Sequence, residues 1–281
     1  MASTLETSHP KSTTVLADTL NMFQPAPTMA TFTSTETQKV YPVSALQPNS
    51  TITFELKNLS PNHFLTLADA YFSVSAKIAS NNGTDAVADI AITDGFASTF
   101  VKHVTVHVND KIVSNYDSFF LRNSIDNFFR TPKIELDSFV KKTQLYEGDS
   151  TAIVSHDTAP WKKREETKGN MFDFIIPLNC DLGSTEKYLL PGLDIKIQLT
   201  PNEPNFYLVG KDANKYHLHI DEIYLNVRKS TILPAVSMGI ERLLSKQNAT
   251  YTLRSVRTSD RVISAGVNRA AFDLNITSQI P

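Results

Sequence analysis

FDFIIPLNCDLGSTEKYLLPGLDIKIQLTPNEPNFYLVG, residues 172–210, and YHLHIDEIYLNVRKSTILP, residues 216–234, together carry three apolar strands separated by turn residues. Leu193, Ile195, Ile197 and Leu199 alternate with Asp194, Lys196 and Gln198. That is the period of a strand with one wet face. No glycine-rich phosphate loop, nucleophile elbow or metal-ligand cluster interrupts the stretch. A segment this regular and this free of chemistry points to a building block, not a catalyst.

The same period continues outward from it. Ile52, Phe54 and Leu56 alternate with polar neighbours, as do Phe72, Val74, Ala76 and Ile78. Val104, Val106 and Val108 lie opposite His103, Thr105 and His107. Asn109-Asp110 then separates that run from KIVSN, which predicts a tight hairpin because Asn and Asp tolerate positive φ. One helix interrupts the strands: FFLRNSIDNFF, capped by Asp117 or Ser118, with Leu121, Ile125 and Phe128 on one face and Pro132 ending it. A weaker helical turn is expected over 138–146, and the polar segment 155–170 is expected to be an exposed loop. Strands resume near Gln247–Arg254 and Ala271–Ile276. Many short strands with few helices predict an all-β antiparallel sandwich or barrel, because a parallel sheet needs a helix after nearly every strand.

The chain has 281 residues, enough for one large domain or one domain and part of another. Its net charge of −2 argues against gripping nucleic acid through phosphates, which calls for a basic surplus. No apolar run approaches the length of a membrane span. The first residues lack the apolar core of a secretory signal, so secretion is not expected. Cys180 is the single cysteine, set in an apolar strand beside an acid, and reads as a small core residue. Residues 1–37, rich in Ser and Thr with Pro10, Pro25 and Pro27, read as a flexible arm. Within it, Val15–Phe23 alone has helical spacing.

Few residues offer chemistry. His217 and His219 form an H-x-H on a strand, the arrangement a cupin-like metal enzyme uses. Tyr216, Leu218 and Ile220 form the apolar set, however, so the histidines face the other way. No histidine follows to complete a three-His site, and a surface or interface pair is the better reading. His103 and His107 are a similar pair, and nothing in the sequence places the two pairs side by side. Lys162-Lys163-Arg164 is neutralised at once by Glu165-Glu166. Trp161, the one tryptophan, stands in a polar loop, where tryptophan is common at protein contacts. No cofactor is implied. A ligand-binding jelly roll such as a lectin or spike is a third reading.

Three stretches in order carry a resemblance to a known family. They are VTVHVNDKIVSNYDSFFLRNSIDNFF, PLNCDLGSTEKYLLPGLDIKIQL, and HIDEIYLNVRKSTILP leading to YTLRSVR at Tyr251–Arg257. The chain resembles the N-terminal part of the double jelly-roll major capsid proteins of Polinton (Maverick) elements and adintoviruses. The resemblance implies an eight-stranded jelly roll over 38–228, a hinge at 229–240 and the start of an incomplete second roll at 241–281. It implies a structural role without an active site. The expected partners are two further copies in a homotrimeric, pseudo-hexagonal capsomer, then neighbouring capsomers and a minor (penton) capsid protein, in a virion assembled inside the host cell. The chain would then be a truncated copy, and its unpaired second-roll edges predict poor solubility. Trp161, His217 and His219 are the candidate interface residues.

Overall fold

In the computed structural model of the chain, the described residues are 31–57, 60–82, 90–145, 169–185, 187–210 and 213–256, with a few single positions besides. Among these residues there are ten strands: β1 (Phe32–Val40), β2 (Ile52–Lys57), β3 (His63–Ser80), β4 (Ile90–Ile92), β5 (Val101–Val108), β6 (Lys111–Tyr116), β7 (Phe172–Pro177), β8 (Asp194–Pro201), β9 (Leu208–Gly210) and β10 (Tyr216–Ile232). Eight of them make two four-stranded antiparallel sheets, ordered β1-β10-β3-β7 and β2-β8-β5-β6; β4 and β9 pair separately. Apart from the β5–β6 hairpin, successive principal strands cross from one sheet to the other, and the first and last principal strands lie side by side. This is the jelly-roll sandwich, the closed form of the all-β fold that the strand periodicity predicts.

The alternation seen in the sequence is the alternation of burial. Phe72, Val74, Ala76 and Ile78 of one sheet and Phe54, Val104, Val106, Ile195, Ile197 and Leu199 of the other are all buried. Phe54 and Phe72 meet between the sheets with ring centroids 5.1 Å apart. In β10 the inward phase would be lost after Ile220, but a bulge before Glu222 resets it, so Ile223, Leu225 and Val227 again point inward. The predicted hairpin is present: Asn109 (φ 48°) and Asp110 (φ 63°) both take left-handed conformations between Val108 and Lys111. The Asn109 carboxamide also accepts a bond from the Asp194 amide at 3.0 Å, pinning the hairpin to β8.

One end of the sandwich is plugged by aromatics. The short helix α1 (Phe96–Thr99) inserts Phe96 among Phe100, Phe172, Phe174 and Tyr207, at centroid distances of 5.0–6.1 Å. Tyr207 also accepts a bond from the Leu218 amide through its hydroxyl, which joins the plug to β10.

Cys180 is buried, as its neighbours predict. Burial pushes its thiol up to about 11, so it packs and does not react. Its Sγ accepts from the Gly183 amide at 3.2 Å in a turn of 3₁₀ helix, Asp181–Ser184. A Cβ on Gly183 would stand 2.7 Å from the Leu67 carbonyl oxygen, a main-chain atom that cannot step aside. Gly183→Ala is therefore expected to cost about 1–3 kcal/mol in urea unfolding, the usual range for overpacking.

Several sequence expectations shift. Strand β1 begins at Phe32, so residues 32–37 of the expected arm are a strand, recruited by pairing with β10. That pairing extends β10 through Ile232, past the expected end of the first roll at residue 228. Pro234 then opens helix α3, Pro234–Leu244, inside the expected hinge, with proline in the first turn where its missing N–H is not needed. Residues 248–256, expected to include a strand up to Arg254, form no regular element. Their main-chain groups bond to side chains instead of to a neighbouring strand. Residues 271–276 lie almost wholly outside the described residues, as do the arm up to residue 30 and most of the 155–170 loop.

Candidate functional site

His217 and His219 sit on the outer face of β10, opposite buried Tyr216 and Leu218. The His217 ring is 2.9 Å from the Asn81 side-chain oxygen, and His219 is exposed. Partial burial holds the His217 pKa below the ordinary histidine value, and the neighbouring His219 adds like-charge repulsion. A cupin-type centre needs both rings inside the roll, and here they lie outside it. His103 and His107 belong to β5, in the other sheet, so the two histidine pairs do not meet. His103 instead contacts Thr105 at 2.6 Å and Asp117 at 3.3 Å. Among the described residues no group of three or more histidines, cysteines or carboxylates could hold a metal. Trp161 and the basic cluster 162–164 lie outside the described residues.

The excursion between β6 and β7 holds what the sequence pattern does not reveal. Helix α2 (Phe119–Arg130) forms where FFLRNSIDNFF predicts it, with Ser118 at the N-cap position but no side-chain cap bond. Of the face expected to turn inward, Ile125 is exposed and Leu121 half-buried, and the Phe128 side chain lies outside the described ones. Arg122, Asn123 and Asp126 are buried, whereas Ile125 is 44% exposed and Phe129 85% exposed. The buried stripe is satisfied by specific partners. Asn123 donates to Ser98 of α1 at 2.8 Å and accepts from Asn179 at 2.6 Å, and Asn127 donates to Gln144 at 2.8 Å.

Arg122 centres the tightest group. Its Nε donates to Asp126 at 2.7 Å, its Nη1 lies 3.9 Å from Asp181, and its guanidinium is 5.4 Å from the Tyr116 ring. Tyr116 donates its hydroxyl to Asp181, and burial together with that carboxylate pushes the phenol far above its usual range. One cation between two carboxylates and a locked phenol is a fastening, with no proton poised for transfer near neutral pH. The i, i+4 spacing of Arg122 and Asp126 is visible in the sequence, but such a pair is ordinarily a surface pair, so no local signal marks this stripe as the buried one.

With its polar side turned in, the excursion presents apolar side chains outward. Ile125, Phe129, Ile134 and Phe139 are all exposed, across α2 and the helical turns that run from Lys133 to Thr143. These turns begin immediately after Pro132, earlier than residue 138 where the sequence predicts one. Exposed phenylalanines and isoleucines at this density mark a surface for protein contact.

No protein-family model matches the chain. No curated protein matches it in sequence. Solved structures do match in shape. A chain of the PBCV-1 virus capsid aligns over 77% of this chain and 46% of its own length, at 12% identity and a TM-score of 0.51. A chain of the Sputnik virophage aligns over 80% and 53%, at 10% identity and 0.51. The Faustovirus major capsid protein aligns over 79% and 58%, at 10% identity and 0.49. The chain thus spans about half the length of the solved structures it resembles. At these identities the likeness is one of fold.

Proposed function

We propose that the chain is a structural capsid protein: the first jelly roll, with the start of the second, of a double jelly-roll major capsid protein of the Polinton and adintovirus kind. The observation that carries this reading is the pair of four-stranded sheets, β1-β10-β3-β7 and β2-β8-β5-β6, on a backbone that overlaps a chain of the PBCV-1 virus capsid. The inward-turned polar stripe of α2 and its outward apolar residues fit a protein that works by touching others. In this reading the chain assembles as a homotrimer within a pseudo-hexagonal capsomer. Trp161, His217 and His219, with the exposed Ile125 and Phe129, are candidate contact residues, and neighbouring capsomers and a penton protein are further partners. The outward histidines remove the geometric basis for a cupin-like enzyme.

Velocity sedimentation of a version of the chain completed with its second jelly roll tests the proposal. A trimer or larger species that persists on tenfold dilution is the expected result. A single monomeric boundary across micromolar concentrations overturns it. Phe129→Ser, at an exposed site, is expected to shift the distribution toward monomer without lowering the unfolding midpoint.

A further inference from the structure

Residues 250–256 and Thr258 lie against the roll as a strap with no regular secondary structure. No strand pairs with its described residues, yet they are held at six points. The Tyr251 hydroxyl donates to the Tyr188 carbonyl at 3.0 Å and accepts from the Leu190 amide at 3.2 Å. Lys187 donates to the Thr250 carbonyl at 2.9 Å, and Arg122 donates from Nη1 to the Val256 carbonyl at 3.2 Å. The Arg254 amide reaches Ser184 Oγ, and Thr258 reaches the Ser118 carbonyl, both at 3.4 Å. Tyr251 and Leu253 rest half-buried against the core. The preceding residues, Glu241 to Thr250, are all exposed.

Two things distinguish this from ordinary loop packing. Three of the six bonds are made to strap main-chain groups by side chains that belong to the roll, so the roll reads half of the strap's contacts as backbone. Arg122 is 2% exposed, and its guanidinium, already fastened to Asp126, still aims one donor at the strap. A buried cation with a donor committed to an extended chain is a built partner for a peptide carbonyl. We propose that the surface between the N-terminal end of α2 and residues 184–190 is a binding groove for an extended polypeptide. The chain's own residues 250–256 and Thr258 occupy it as a tethered ligand. Recognition requires two carbonyls, at positions 250 and 256, with a tyrosine hydroxyl and an apolar side chain between them, at 251 and 253. The groove holds the strap whatever the chain assembles into.

The test keeps the full chain and cuts only the link. A site-specific protease sequence is placed at residues 246–248, where every side chain is exposed, and the cleaved protein is passed over a native sizing column. The C-terminal fragment is expected to elute with the body. A fluorescent peptide of residues 249–258, added in excess, is expected to replace it with a rise in anisotropy. A Tyr251→Phe peptide loses two hydrogen bonds and is expected to bind about tenfold more weakly. A body carrying Lys187→Ala, at an exposed position that leaves the fold intact, is expected to bind the parent peptide several-fold more weakly. A fragment that leaves the body overturns the groove. So does a retained fragment with no peptide entry, which would place the hold in residues 259–281, and so does equal affinity of the two peptides.

Discussion

Phe96→Ala is expected to lower the unfolding free energy by about 3–5 kcal/mol, read from the urea midpoint at unchanged slope. Phe96 is fully buried and touches four other rings, those of Phe100, Phe172, Phe174 and Tyr207. These rings come from the residue after α1, from β7, and from the turn before β9. Truncation leaves a cavity that none of them can fill alone, because each is held by its own strand or helix. Collapse would have to move several elements at once, which puts the expected loss in the upper part of the range for buried side chains. A loss below about 1 kcal/mol would mean that this end of the roll is loosely packed and that the aromatic plug does not close it.

Arg122→Ala is expected to be equally damaging for a different reason. The substitution removes a buried cation paired with Asp126 and Asp181 and leaves two buried carboxylates with less to balance them. Breaking a buried pair in this way typically costs about 3–5 kcal/mol. Arg122→Met keeps most of the volume but removes the charge, which separates this cause from simple loss of packing. A similar loss for the two variants would assign the effect to the ion pairs, and a much smaller loss for Arg122→Met would assign it to packing.

Period-two patterns are legible wherever a strand has one face buried. Ile195, Ile197 and Leu199, or Phe72 through Ile78, identify their inward faces without any structure, because burial alone sets that alternation. β1 is illegible for the same reason. All its residues from Thr33 to Lys39 are exposed, so no hydrophobic pattern marks it, and only its pairing with β10 makes it a strand. The strap misleads in the other direction. Its apolar Tyr251 and Leu253 suggest a strand face, yet polar side chains far away in sequence take up its backbone.

Helix α2 departs furthest from its pattern. Hydrophobic periodicity locates a helix correctly but assumes that the apolar face turns inward. Here a complete set of polar partners, Ser98, Asn179, Gln144 and Asp181, waits in the fold, and those lie on segments no local pattern connects to α2. The outward position of His217 and His219 is, by contrast, fixed by parity with Tyr216 and Leu218.

Strand β1 contributes almost nothing to the interior. It is attached by its ladder to β10, by the Lys229–Glu36 pair at 2.6 Å, by Lys39 over the Tyr224 ring and by Phe32 against Tyr188. Those bonds lie at the surface and can open one after another, whereas the two facing sheets yield only together. Tension applied to the chain from its N-terminal side therefore meets a seam before it meets the core. The seam unzips from Phe32 toward Val40 and lengthens the tether by roughly 30 Å, at about 3.3 Å per residue. The sandwich behind it stays shut, so the first strand works as a mechanical fuse.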